Sequence, residues 1–206
     1  TSGSTALMTG TPRAMFGFDN VSGDVADATI GANSLTPKNS PTYQVNGVHG
    51  FAPRLNGTNQ YFCAGTAGTC VNDADYAANT TSFALSLWFK HSTTISGTDT
   101  ILDNTYSTTP ALGAGYRIYM NASGQIVAGI DDDATAFDDD LITTTTSASF
   151  ADGQWHHLLF MRVTAALTNP AHAIGIYLYI DGKSVGSDTT IAATATLTST
   201  SILAIG

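Results

Sequence analysis

Residues 82–90 place Phe83, Leu85, Leu87 and Phe89 alternately with Ala84, Ser86, Trp88 and Lys90. That period of two fits a pleated strand with one face on a core and the other facing away. The same period returns downstream. Residues 115–120 and 125–130 read as two strands joined by a turn at Asn121-Ala-Ser-Gly124. A long strand starts at Trp155 and runs to Val163, and Ile174, Ile176, Leu178 and Ile180 then alternate with Tyr177 and Tyr179. Asp181-Gly182 follows, a two-residue hairpin signal, and the return strand covers 183–186.

The N-terminal third is less regular. Strands are predicted at 14–18, 53–55 and 59–62, and a short helix over 71–79. Ser, Thr, Gly and Asn are abundant and strong helix formers scarce, which favours strands and loops. No internal repeat or linker divides the 206 residues, a length that all-β sandwiches reach as one unit. The expectation is a single domain over 1–206.

All sixteen acids are Asp, against seven Lys plus Arg, for a net charge of −9. Such a chain repels phosphate backbones and anionic headgroups, so nucleic acid and membrane insertion are not expected as modes of binding. No run of eighteen apolar residues occurs. Cys63 and Cys70, separated by Ala-Gly-Thr-Ala-Gly-Thr, read as a hairpin disulfide in an oxidising, extracellular compartment, with two reduced thiols as the alternative. Closing so short a loop adds roughly 2–3 kcal/mol on the chain-entropy model.

Several segments, in order, carry a resemblance. They are Phe16-Gly-Phe-Asp19 with Asp27 and Gly31-Ala-Asn33, then Arg54-Leu-Asn-Gly57-Thr-Asn59, Phe83-Ala-Leu-Ser-Leu-Trp88, Gly153-Gln-Trp155-His156-His-Leu158, Leu178-Tyr-Ile-Asp181-Gly182-Lys183 and Leu203-Ala-Ile-Gly206. Together they resemble the laminin G-like family of the concanavalin A-like lectin and glucanase superfamily. The resemblance implies an all-β, two-sheet antiparallel jelly-roll sandwich. It also implies a closing strand after the Leu-Ala-Ile-Gly stretch, to be supplied by a longer polypeptide or by a neighbouring molecule.

Hydrolysis of glycosides generally needs two carboxyl groups with one pKa raised, and the sandwich relatives use a Glu pair. This chain has no Glu, and none of the alternating strands carries two Asp on one face. No nucleophile elbow accompanies the serines and histidines. The Trp155-His156-His157 run reads as structural, with Trp155 anchoring the core and one His bonding a neighbouring turn. The expectation is no enzyme.

Calcium is the expected cofactor, because it takes six to eight oxygens from flexible loops. Its candidate ligands are Asp131, Asp133, Asp138 and Asp140 in the acidic loop, and Asp19 and Asp27 in the opening loop; a solvated acidic loop is the alternative. For a glycan, the candidate platform consists of Trp88, Tyr116, Tyr119, Tyr177 and Tyr179, expected on strand faces opposite the core. Tyr106 belongs to the same set. The expected function is noncatalytic binding of a glycan or protein surface, secreted or surface-displayed. The alternative is a structural subunit of a virion, filament or surface layer, partnered by copies of itself.

Overall fold

The computed structural model describes residues 12–29, 33–71, 78–105, 114–131, 140–143, 149–168, 170–191, 195, 197 and 201–206. Among these the regular elements are all strands. In chain order they are β1 (Val25–Ala26), β2 (Ser34–Lys38), β3 (Thr42–Asn46), β4 (Phe51–Arg54), β5 (Tyr61–Thr66), β6 (Thr69–Cys70), β7 (Phe83–Lys90), β8 (Asp99–Asp103) and β9 (Gly115–Met120). They continue as β10 (Ile126–Asp131), β11 (Asp140–Thr143), β12 (Trp155–Val163), β13 (Leu167–Thr168), β14 (Ala171–His172), β15 (Gly175–Ile180), β16 (Lys183–Asp188) and β17 (Ala204–Ile205).

Two sheets face each other. The larger runs β1-β2-β5-β17-β8-β9-β10-β11, and the smaller β16-β15-β12-β7; every pairing is antiparallel. Between them lies one apolar layer, to which the larger sheet contributes Leu102, Tyr116, Ile118, Met120, Ile126, Ala128 and Ile130. The smaller sheet answers with Phe89, Leu158, Phe160, Ile176, Leu178 and Ile180. These side chains recur at every second position, as the pleat requires. A second cluster of Val25, Leu35 and Phe62, with Phe16, Phe18, Tyr43 and Leu55 against it, anchors the N-terminal segment.

The hairpins foreseen at 115–130 and 174–186 are present, with Met120 opposite Ile126 and Ile180 opposite Lys183. Asp181 and Gly182 both take positive φ, 53° and 74°, the backbone of a type I′ turn. Gln125 belongs to the preceding turn, where the Asn121 side-chain oxygen accepts the N–H groups of Ser123 and Gln125.

The predicted strand at 14–18 is instead a single bridge between Phe16 and Asp27. The Met15 carbonyl accepts the Ala28 N–H, but the Met15 N–H is taken by the Asp27 carboxylate at 2.8 Å, so a side chain replaces one bond of the next rung. Most of the helix predicted at 71–79 lies outside the described residues, and Asn79 forms an extended bridge with Leu197. The Leu203-Ala-Ile-Gly206 stretch supplies β17, which sits inside the larger sheet with Ala204 opposite both Cys63 and Asp103.

Arg162 is one of the largest fully buried side chains, 2% exposed on the core side of β12. Its guanidinium donates to the carbonyls of Asn79 and Ala195, tying two connections to the end of the small sheet. Replacing Arg162 with Met would keep the stem's packing and leave the buried Ala195 carbonyl and the part-buried Asn79 carbonyl without their donor, a loss of roughly 3 kcal/mol. For a chain of this size that corresponds to a melting temperature lowered by roughly 6–12 °C, readable by calorimetry of the Arg162→Met variant.

Candidate binding face

The outer face of the small sheet follows from its register. On β7 it shows Ala84, Ser86 and Trp88; opposite them on β12 are Met161, Leu159 and His157; and Tyr177 and Tyr179 of β15 lie across from Met161 and Leu159. One half of this face is covered. Met161, Val163 and Tyr177 form a small buried cluster with Ala84, Leu159 and Tyr179 packed against it. His172 of β14 stands edge-on to the Tyr177 ring at 4.6 Å. Its Nδ1 lies 3.2 Å from the Pro170 carbonyl and its Nε2 2.8 Å from the Tyr179 hydroxyl. Burial, with a smaller contribution from Tyr177, raises the Tyr179 phenol above its ordinary pKa.

The other half is open. Trp88 is 49% exposed, and its ring lies 5.1 Å from that of His157. His157 is fixed in turn: its Nε2 is 2.9 Å from the Ser86 hydroxyl and its backbone N–H donates to Asp181 Oδ1 at 2.9 Å. The result is an exposed indole on a polar, immobilised support, with Leu159 and Tyr179 alongside.

The five aromatic candidates therefore separate. Trp88 is open and Tyr179 half-buried, whereas Tyr177 is covered. Tyr116 does not face outward: it is 3% exposed in the core, its ring 5.1 Å from that of Phe83. The period of two explains this correction, because Tyr116 and Tyr119 are three residues apart and must face opposite ways. Tyr119 lies on the outer face of the larger sheet under the Arg117 guanidinium, 4.8 Å from its ring centre, and Arg117 reaches Asp103 at 3.2 Å. Tyr106 lies outside the described residues. Trp155 is also no core anchor, since it shares the outward parity of His157 and is half-buried.

Of the candidate calcium ligands, Asp133 and Asp138 lie outside the described residues. Asp131 is buried at the end of β10, and the Asp140 backbone pairs with Ile130 at the start of β11, so the acidic stretch connects two paired strands. Asp19 seats against Gly50, whose φ of 63° presents the Phe51 N–H to Asp19 Oδ1 at 2.7 Å. Asp27 accepts from the backbone N–H groups of Met15 and Thr29 and from the Thr29 hydroxyl, and these bonds outweigh burial to hold its carboxyl below the ordinary range. Asp24 accepts from Thr36 and Ala67. Each opening-loop carboxylate thus braces a different turn. Among the described residues no three His, Cys or Asp side chains are grouped so that they could hold a metal ion. Cys63 and Cys70 are joined in a disulfide.

His156 points to the core side, between the rings of Phe89 and Phe150. Its Nδ1 is 2.8 Å from Asp181 and its Nε2 3.2 Å from Asp152. Sequence reasoning assigned one His to a neighbouring turn; the structure ties this one to two.

The architecture is that of a lectin-type jelly roll. The family model described as the concanavalin A-like lectin/glucanases superfamily, of laminin G type, matches residues 56–206, and the chain belongs to that family. No curated protein sequence matches it. Among solved structures, the binding domain of botulinum neurotoxin DC in complex with rat synaptotagmin II aligns with a TM-score of 0.60 and 15% identity, covering 94% of this chain and 43% of that one. A structure describing cell entry of botulinum neurotoxin type C as dependent on two ganglioside molecules aligns at 0.60 with 13% identity, over 93% and 42%. The HCR/D F1240A mutant aligns at 0.62 with 15% identity, over 94% and 43%. The chain thus spans less than half of each of these structures.

A pH dependence follows from the His156 pair. Burial alone would lower the imidazole, but the bonds to Asp181 and Asp152 and their charges raise it above the ordinary 6.5. Asp152 is lowered chiefly by the Gln154 N–H, and further by His156; Asp181 is lowered by His156 and the His157 N–H against the opposing effect of burial. A raised His stabilises the fold fully below pH 6.5 and loses that contribution as pH rises through its folded value. A lowered Asp stabilises above its ordinary 3.8 and loses the contribution as pH falls through its folded value. The melting-temperature gap between the parent and His156→Gln will therefore be widest between about pH 4 and 6.5 and will narrow on both sides, as thermal melts across pH 3–9 would show.

Proposed function

We propose that this domain is a noncatalytic, extracellular binding module that takes a glycan on the open half of the small sheet's outer face. The observation that carries the reading is the half-exposed Trp88 indole, set by His157 and Ser86 on rigid strands. A sugar ring presents an apolar face to an aromatic plane and hydroxyls around its rim, and Ser86 and His157 are the polar groups beside this plane. The ganglioside and synaptotagmin II partners named for the neurotoxin structures support binding as the use of this fold, with glycan and protein both represented.

A noncatalytic role is supported by the absence of Glu and by the occupation of the described carboxylates. Asp99 faces His91, Asp103 faces Arg117, Asp152 and Asp181 face His156, and Asp188 accepts from Thr190. The disulfide supports an oxidising compartment. Calcium enters this proposal as a cation for the carboxylates of the acidic run from Asp131 to Asp140. A melting temperature equal in calcium and in chelator would remove that part alone.

A glycan array tests the main reading. The parent should retain a defined set of glycans, and Trp88→Ala should bind the best of them roughly 5- to 150-fold more weakly, as expected for loss of an aromatic anchor of about 1–3 kcal/mol. Because Trp88 is exposed, the variant should melt close to the parent. An empty array, or unchanged binding by Trp88→Ala, defeats the proposal, and a protein ligand becomes the next reading.

A further inference from the structure

Among the described residues the small sheet ends at β7, which pairs with β12 and with no other described strand. Its second edge carries no backbone hydrogen bond from any described residue. Exposed edges in soluble proteins are ordinarily guarded by shortness, proline, bulges, charge (especially Lys) or a covering helix or loop. β7 is eight residues long, regular and proline-free, and its one charge, Lys90, stands at its end.

The core is also unfinished along this edge. Phe83, Leu85 and Leu87 point into the apolar layer yet are only partly buried, while their β12 neighbours Leu158 and Phe160 are completely buried. An added strand would bring backbone partners and cover these three side chains together.

We infer that β7 pairs antiparallel with β7 of a second copy, joining two small sheets into one across a two-fold axis at Ser86. The strand's own sequence supports this occupant. With Ser86 opposite itself, Leu85 meets Leu87 and Phe83 meets Phe89 on the core side. On the outer side the large Trp88 lies across from the small Ala84, and Lys90 across from Ser82. Apolar residues face apolar ones in every core-side pair, and no like charges meet. None of the sixteen Asp residues lies on β7 to oppose the contact. The inference does not depend on the glycan reading, although the pairing would place two Trp88 faces on one continuous surface.

A crosslinking experiment tests it. Residue 86 would lie roughly 5 Å from its own symmetry mate, as directly opposed residues do. Residue 90 would lie roughly 27 Å along the strands from its mate, at about 3.4 Å per residue. The two native cysteines are bonded to each other, so an introduced cysteine is the single free thiol. Sedimentation velocity of the parent over a dilution series should show a mass rising toward twice 21.3 kDa. Ser86→Cys should give a covalent dimer with a short bismaleimide, and Lys90→Cys, with the same reagent, should not. Both variants are at exposed positions, and a melt confirms that they fold. A parent that stays monomeric at its highest soluble concentration overturns the inference, as does a dimer that fails to crosslink through residue 86 or crosslinks equally through residue 90. The glycan array reads none of these outcomes, so the two proposals can fail separately.

Discussion

The ladder from β7 through β12 to β15 fixes which chemistry this molecule can show. Leu158 pairs with Leu87 and Ile180, and its neighbour His157 pairs with Trp88. A slip of one residue would send the apolar set outward and bring His157 and Trp88 inside, so burial of one face specifies the other. The exposed indole is a by-product of that parity. So is His156, which faces inward among rings and keeps its nitrogens satisfied only because two turns each supply a carboxylate.

Aspartate has a different use here from the one its abundance suggests. In the opening loop Asp19, Asp24 and Asp27 receive backbone N–H groups that no ladder satisfies, and Asp188 and Asp152 do the same at the ends of strands. A short carboxylate reaches its own or a nearby backbone, which a Glu side chain does less readily. An irregular segment of the first third is thereby held with little regular pairing.

Where burial was one-sided and the segment long, the sequence was legible: β7, β12 and the hairpins at Asn121 and Asp181 stand close to where alternation and turn chemistry put them. The short strands Ser34–Lys38 and Asp99–Asp103 were not read, since their polar, threonine-containing runs give no clean alternation and their pairing is decided by distant partners; Thr42–Asn46 does alternate, but over five residues with only Tyr43 and Val45 half-buried. The candidate face was half legible. Trp88 could be placed by parity, and Tyr116 could have been set aside by the same rule. The cover over Tyr177 could not, because it depends on where the His172 loop folds back. The roles of Asp19 and Asp27 were hidden for a similar reason: their donors sit as far away as Phe51.

The position of β17 bears on how the chain is made. This two-residue strand separates β5 from β8, so the first-synthesised strands β1, β2 and β5 join the rest of the larger sheet through residues 204 and 205. A polypeptide emerging N-terminus first thus carries half a sheet with an open side until those residues have left the ribosome. Its early strands must wait, and for that interval they present unpaired backbone to whatever the cell keeps nearby.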